Sequence, residues 1–163
     1  MESLKGRAAY VFGDNYDIDL IIGIENISIS DTDKIVDVLM YKYDSEFKSN
    51  INVGDILVGG KNFGYGHPHP QAMVGMRAVG IDVIVAESYA FPFYRSELAS
   101  GMKLLECADI STNVSRWDEL DIDVHQGLLR NITQGTEFKL KEVTPIALDM
   151  MTAGGVEGYL KKR

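Results

Sequence analysis

Cysteine is nearly absent from this sequence. Its 163 residues include a single one, Cys107, which excludes an internal disulfide framework and any metal cluster held by this chain's own thiolates. A lone cysteine of this kind reads as a small, part-buried hydrophobe. Positive charge is scarce as well. Sixteen Lys and Arg stand against 24 Asp and Glu, a net charge of −8 with no basic cluster to offset it, which argues against binding built on a nucleic-acid phosphate backbone. Long apolar runs are missing too. No stretch reaches the roughly 18 apolar residues of a membrane span, and the N-terminus lacks the apolar core of a signal peptide. The expectation is therefore a soluble, cytoplasmic protein with neither membrane nor nucleic acid as partner. No repeat or low-complexity linker divides the chain, so residues 1–163 are read as one domain. Proline is sparse, with four residues, yet two of them, Pro68 and Pro70, fall in one short loop.

That loop belongs to the stretch around which the rest is organised, residues 53–90. Residues 55–59 form an apolar strand that runs into a glycine-punctuated loop, 60–70. The spacing of Ala72, Met73, Met76, Val79 and Ile81 predicts a helix with one apolar face. A second apolar strand, 82–86, closes the unit. Strand, crossover helix and strand of this length predict a right-handed β-α-β unit. The loop at the helix start is where such a unit places its chemistry, because free backbone N–H groups and the positive end of the helix dipole favour an anion there.

Ahead of this unit, residues 6–12 read as a strand, and Gly13-Asp14-Asn15 as a turn. Asp17 and Asp19 flank Ile18; on extended backbone they share a face, while the plainer reading makes them a solvated turn rim or a helix cap. Ser30 or Asp31 is placed to cap a helix over 34–43. Beyond the central unit, Pro92 suits the first turn of a short helix. Strands are predicted around 122–124, 128–132 and 137–140, with turns at Gly127 and at 133–136. A last helix covers 147–151 and ends at Gly154-Gly155, followed by a basic, solvated terminus.

The wording of these motifs carries a resemblance. Residues 55–66, DILVGGKNFGYG, resemble the "GDI(I/L)VAGKNFGCG" segment in the small subunits of isopropylmalate isomerase and homoaconitase, the counterparts of the mobile swivel domain of aconitase. Residues 13–22, GDNYDIDLII, resemble that family's "GDN(I/V)DTDxIIP" run, with Ile18 at its threonine and Gly23 at its proline. Ser88, Ala90, Phe93, Tyr94, Arg95 and Gly101 match its "KSFARIFYRNAINNGL", with Phe91 at its first arginine and Pro92 at its isoleucine. The ending from Ala153 resembles its "AGGLVEYVKKR". The likeness covers nearly the whole chain. It implies an α/β swivel domain, a central sheet or small barrel flanked by helices.

It also implies a function: the small subunit of an aconitase-type hydro-lyase, which removes and re-adds water on a hydroxy di- or tricarboxylate and is inactive alone. The 4Fe–4S cluster would sit in a separate large subunit as Lewis acid. Within this chain the resemblance points to Asn62, Asp17, Asp19 and Arg95 for holding loop and substrate, and to the amides of Gly64 and Gly66 for orienting a carboxylate. In the family, the segment after "IIP" meets the variable part of the substrate. Here Ile24 replaces its arginine and Glu25 follows, implying either a different substrate preference or an exposed loop with no role.

The loop itself departs from the pattern. Where the family reads "GCGSSREHA", with the second serine as proton carrier and the arginine on a substrate carboxylate, this chain reads GYGHPHPQA. His67 stands at the first serine, Pro68 at the proton-carrying serine and His69 at the arginine. Proline has no transferable proton and no N–H. Three readings follow. In the one adopted, His67 or His69 is the acid/base group, since imidazole titrates near working pH. In the second, His67 and His69 are a zinc pair, for which only His125, Asp17 and Asp19 offer further ligands and no spacing links them. In the third, the domain is a regulatory subunit without chemistry of its own.

Overall fold

In a computed structural model, which describes residues 1–162, seven strands form one sheet. They are β1 (Leu4–Val11), β2 (Ile56–Gly59), β3 (Val83–Ala86), β4 (Lys103–Glu106), β5 (Glu119–Asp123), β6 (Leu128–Asn131) and β7 (Thr136–Lys139). Their order across the sheet is β4-β3-β2-β1-β5-β6-β7. The first four are parallel and the remainder antiparallel. Composition follows from this division. Every residue of β2 and β3 is buried, as parallel strands covered on both faces require, whereas β5 and β6 alternate buried with partly exposed residues.

β1 joins the two halves. Leu4, Lys5, Gly6 and Arg7 pair with β5, and Ala8, Tyr10 and Val11 pair with β2, across a register irregularity. The Arg7 guanidinium donates to both carboxylate oxygens of buried Asp55, at 3.1 and 2.7 Å. That forked pair clamps β1 to the start of β2. At the far edges the sheet curls until it meets itself. Cys107, just past β4, forms a bridge with Leu140, just past β7, and the Lys141 N–H donates to the Glu106 carbonyl at 2.9 Å. The central sheet or small barrel expected from the sequence is thus a curled sheet whose two edges touch.

Seven helices accompany it: α1 (Thr32–Asp37), α2 (Phe47–Asn50), α3 (Gln71–Ala78), α4 (Phe91–Ala99), α5 (Ile110–Asn113), α6 (Pro145–Ala153) and α7 (Val156–Lys161). The β2-α3-β3 unit is the predicted strand, helix and strand, with its two strands adjacent and parallel. Asp31 caps α1 as expected, accepting from the Asp33 and Lys34 N–H groups. The helix predicted over 34–43 nonetheless stops at Asp37. Met40 takes a left-handed conformation (φ 59°) and its N–H turns to the Ile21 carbonyl at 2.7 Å, so tertiary pairing overrides helical periodicity. Thr144 caps α6 and Gly154 ends it at φ 76°. The chain then re-enters a helix, α7, where the sequence suggested only a solvated tail; Arg163 lies outside the described residues.

Candidate active site

The loop of residues 60–70 is held from two sides. From the turn after β1, the Asn15 N–H donates to the Lys61 carbonyl at 2.8 Å, and the Asp14 carboxylate accepts from the Lys61 N–H at 2.7 Å. Asn62 Nδ2 donates to Asn15 Oδ1 at 2.9 Å. From the segment after β3, Ser88 accepts twice, from the Asn62 N–H on its hydroxyl (2.8 Å) and from the Phe63 N–H on its carbonyl (3.0 Å). Asn62 itself sits at φ 54°, a region asparagine tolerates. Three motifs far apart in sequence are therefore parts of one cage. Asn62 spends its amide side chain inside that cage.

Phe63 anchors the loop below. Its buried ring lies between Phe12, Tyr16, Tyr89 and Phe93, with centroids 5.5–6.3 Å away. Gly64 follows at φ 85°, and a Cβ there would stand 2.2 Å from Cγ of Phe93. Only glycine fits. Its N–H donates to the Tyr16 carbonyl at 3.0 Å. This corrects the expectation that the Gly64 amide is free to orient a carboxylate: it is committed to the loop's own anchorage. Gly66, at φ 92°, lies beside Asp17, whose Oδ2 would be 3.3 Å from an added Cβ.

The two aspartates do not share an extended face. Asp17 caps a short 3-10 turn, Ile18–Ile21, and accepts the Asp19 N–H at 2.9 Å. Asp19, inside that turn, is buried. Its carboxylate takes hold of His69: Oδ1 accepts the His69 backbone N–H at 3.0 Å, and Oδ2 lies 2.7 Å from ring Nδ1. The imidazole is half exposed, while the Asp19 side chain is only 9% exposed. Sequence reasoning named both residues without coupling them. Fifty positions separate them, and no local pattern reports such a pairing.

Other expected site residues are placed differently. His67 is exposed, and no hydrogen bond holds its ring among the described residues. Ile24 is 62% exposed in a second 3-10 turn, Ile24–Asn26. Glu25 is engaged by the Lys42 ammonium at 2.8 Å and by the Tyr41 hydroxyl, and these two donors hold its carboxyl down at about 2. Arg95 lies two residues beyond Phe93 on α4, about 200° round the helix from the face that meets Gly64. Its guanidinium stacks on Phe91, 5.7 Å from the ring centroid. Nothing among the described residues gathers three His, Cys, Asp or Glu side chains into a metal-ligand group, and His125 meets the N-terminal amine instead, at 3.0 Å. α3 begins at Gln71 without any side-chain cap on its first turn. Its leading N–H groups face the same end of the loop as His69.

Comparison with known proteins agrees with this arrangement. Residues 15–109 match the aconitase C-terminal domain family, a span holding both the Asp17–Asp19 turn and the 60–70 loop. The isopropylmalate/citramalate isomerase small subunit of Methanocaldococcus jannaschii is 35% identical over 160 residues, covering 98% of this chain and 95% of that protein. The 3-isopropylmalate dehydratase small subunit of Caldicellulosiruptor bescii is 35% identical over 162 residues, covering 97% of each. Among solved structures, the 3-isopropylmalate dehydratase of M. jannaschii superposes with a TM-score of 0.88 at 28% identity, covering 99% of this chain and 95% of that one. The curled sheet, the caged loop and these full-length matches carry one conclusion: the chain belongs to the aconitase C-terminal domain family, as a hydro-lyase small subunit of the 3-isopropylmalate dehydratase kind.

Proposed function

We propose that this chain, paired with a large subunit that carries a 4Fe–4S cluster, dehydrates and rehydrates a small hydroxy di- or tricarboxylate, with His67 or His69 in place of the family's serine as acid/base group. The observation that carries this reading is the loop histidine at the head of α3, held by a buried carboxylate on one ring nitrogen and half open to solvent. The names of the relatives support the substrate class, isopropylmalate and citramalate being hydroxy dicarboxylates.

The cluster does not fit this chain. Its single cysteine is buried at the closing edge of the sheet, and burial pushes the thiol up to about 11, whereas a cluster needs several thiolates. What this subunit supplies is binding and proton chemistry. The uncapped first turn of α3 favours a substrate carboxylate. The exposed Ile24 turn, five residues beyond Asp19, is the surface that meets the variable end of the acid. Glu25, tied to Lys42, sets the charge of that turn.

The test is co-expression with the large subunit, anaerobic cluster reconstitution and an ultraviolet assay of dehydration over a panel of hydroxy dicarboxylates. Either subunit alone is expected to be inactive, and the pair active on at least one acid. His67→Ala and His69→Ala run beside wild type. Loss of about 100-fold or more in either variant marks the acid/base group. Turnover indifferent to both would sink the histidine assignment, and no turnover on any acid would favour the regulatory reading.

A further inference from the structure

Asp19 is placed to do more than shape the loop. A carboxylate can only accept hydrogen bonds, so Asp19 Oδ2 at 2.7 Å requires the proton on His69 Nδ1. That leaves Nε2, the nitrogen on the open side of the ring, with its lone pair free. The second oxygen is spent on the His69 backbone N–H at 3.0 Å. Backbone and ring of one residue are thus gripped by one buried carboxylate. We propose that Asp19 is a positioning residue which fixes the tautomer and aim of His69, and that His69 Nε2, rather than His67, is the catalytic proton carrier of this subunit. This rests on the hydro-lyase reading above and narrows it.

In dehydration, the Nε2 lone pair takes a proton from the carbon beside a substrate carboxylate. The C–H pair becomes the C=C bond, and the hydroxyl departs with the C–O pair. Proton and hydroxide together make up the water lost. Hydration runs the same transfers backwards. The imidazolium formed midway is stabilised by Asp19, through a bond that strengthens when the ring is charged. The other groups packed against the loop do not compete for this role. Asp17 is turned to the Asp19 N–H and to Gly66, Asp14 to the Lys61 N–H, Tyr16 offers its carbonyl to Gly64, α4 presents the Phe93 ring, and the loop's other titratable side chains are Lys61, Tyr65 and His67. From the other flank, Ile35 of α1 and Leu39 just beyond it meet α3 at Gly75.

Asp19→Asn gives a sharp test, because the His69 backbone N–H is a fixed donor. It demands the amide oxygen of the new side chain and so turns the NH2 group towards Nδ1. The ring is then forced to carry its proton on Nε2 and cannot accept one there. In the reconstituted complex, Asp19→Asn is expected to lower kcat about 100-fold or more with KM changed only a few-fold. The pH profile should lose the limb assigned to the base. Added to His69→Ala, it should cost almost nothing further, since the two residues act as a unit. Nitrogen NMR of the full-length chain labelled in histidine should show the His69 proton on Nδ1 in wild type and on Nε2 in Asp19→Asn.

A kcat loss of equal size in wild-type and His69→Ala backgrounds would overturn the proposal in favour of a purely structural Asp19. A KM rise in both backgrounds would do so in favour of direct substrate binding. Should Asp19→Asn fail to assemble, the wild-type tautomer still decides: a proton on Nε2 overturns the positioning role. A wild-type complex inactive on every acid, with the proton found on Nδ1, would overturn the hydro-lyase reading and leave the positioning intact.

Discussion

Gly64 shows how one residue type is dictated by its surroundings. Its φ of 85° and the Phe93 ring leave no room for a Cβ, and its N–H pins the loop to Tyr16. Gly64→Ala is expected to destabilise the chain by about 2–5 kcal/mol, combining left-handed strain with a steric clash. Urea unfolding of the two proteins measures this; a loss below about 1 kcal/mol would show that Phe93 steps aside. The residues flanking the site were readable in sequence as a list, and the list named Asp19 and His69. Their partnership was not readable, because a hydrogen bond across fifty positions depends on where α3 docks against the turn.

That docking is a matter of elements. α3 is seated on the inner side by Gly75, whose missing Cβ admits Ile35 and Leu39 of the α1 region. At its other end, Arg77 donates to Glu97 of α4 at 2.8 Å. Glu97 is buried, and burial raises its carboxyl above the ordinary 4.5 while Arg77 pulls it back. Arg77→Met removes the pull and leaves the burial. A carboxyl raised in the folded chain contributes stability below its unfolded value and loses it as pH rises through the folded one. The variant should therefore lose about 2–4 kcal/mol at pH 8 and distinctly less at pH 5, where Glu97 can take up a proton. Urea unfolding at both values checks this, and an equal loss at both would contradict it. The amphipathic spacing over 72–81 announced α3; the ion pair that fixes its tilt against α4 did not show, since Arg77 and Glu97 belong to different helices.

At the scale of the molecule, the decisive feature is that the sheet meets itself. Cys107 sits where the edges join, with its thiol directed at the Lys139 carbonyl. Reaching it requires separating β4 from β7. Labelling of the native chain by a maleimide at pH 8 should accordingly run about 100-fold or more slower than in urea. Its dependence on urea should follow that of global unfolding. Fast native labelling would mean that the edges open independently of the core. The same closure explains why the later strands were legible only approximately: 122–124 became Glu119–Asp123, 137–140 became Thr136–Lys139, and β4 went unnoticed. Short strands on a curled sheet take their ends from partners, not from local propensity.

The sequence by itself determined what depends on composition and neighbours along the chain. One cysteine and a charge of −8 set limits on ligands and partners. Apolar runs at β2 and β3 declared a parallel pair, and Asp31 and Gly154 declared helix ends. The loop wording pointed to the family. Only the tertiary structure decided which groups meet: Gly64 with Tyr16, Asn62 with Asn15 and Ser88, and Asp19 with His69. Periodicity reports the face on which a side chain lies within its own element. Which partner it meets depends on how elements pack, and packing is set by the whole core at once.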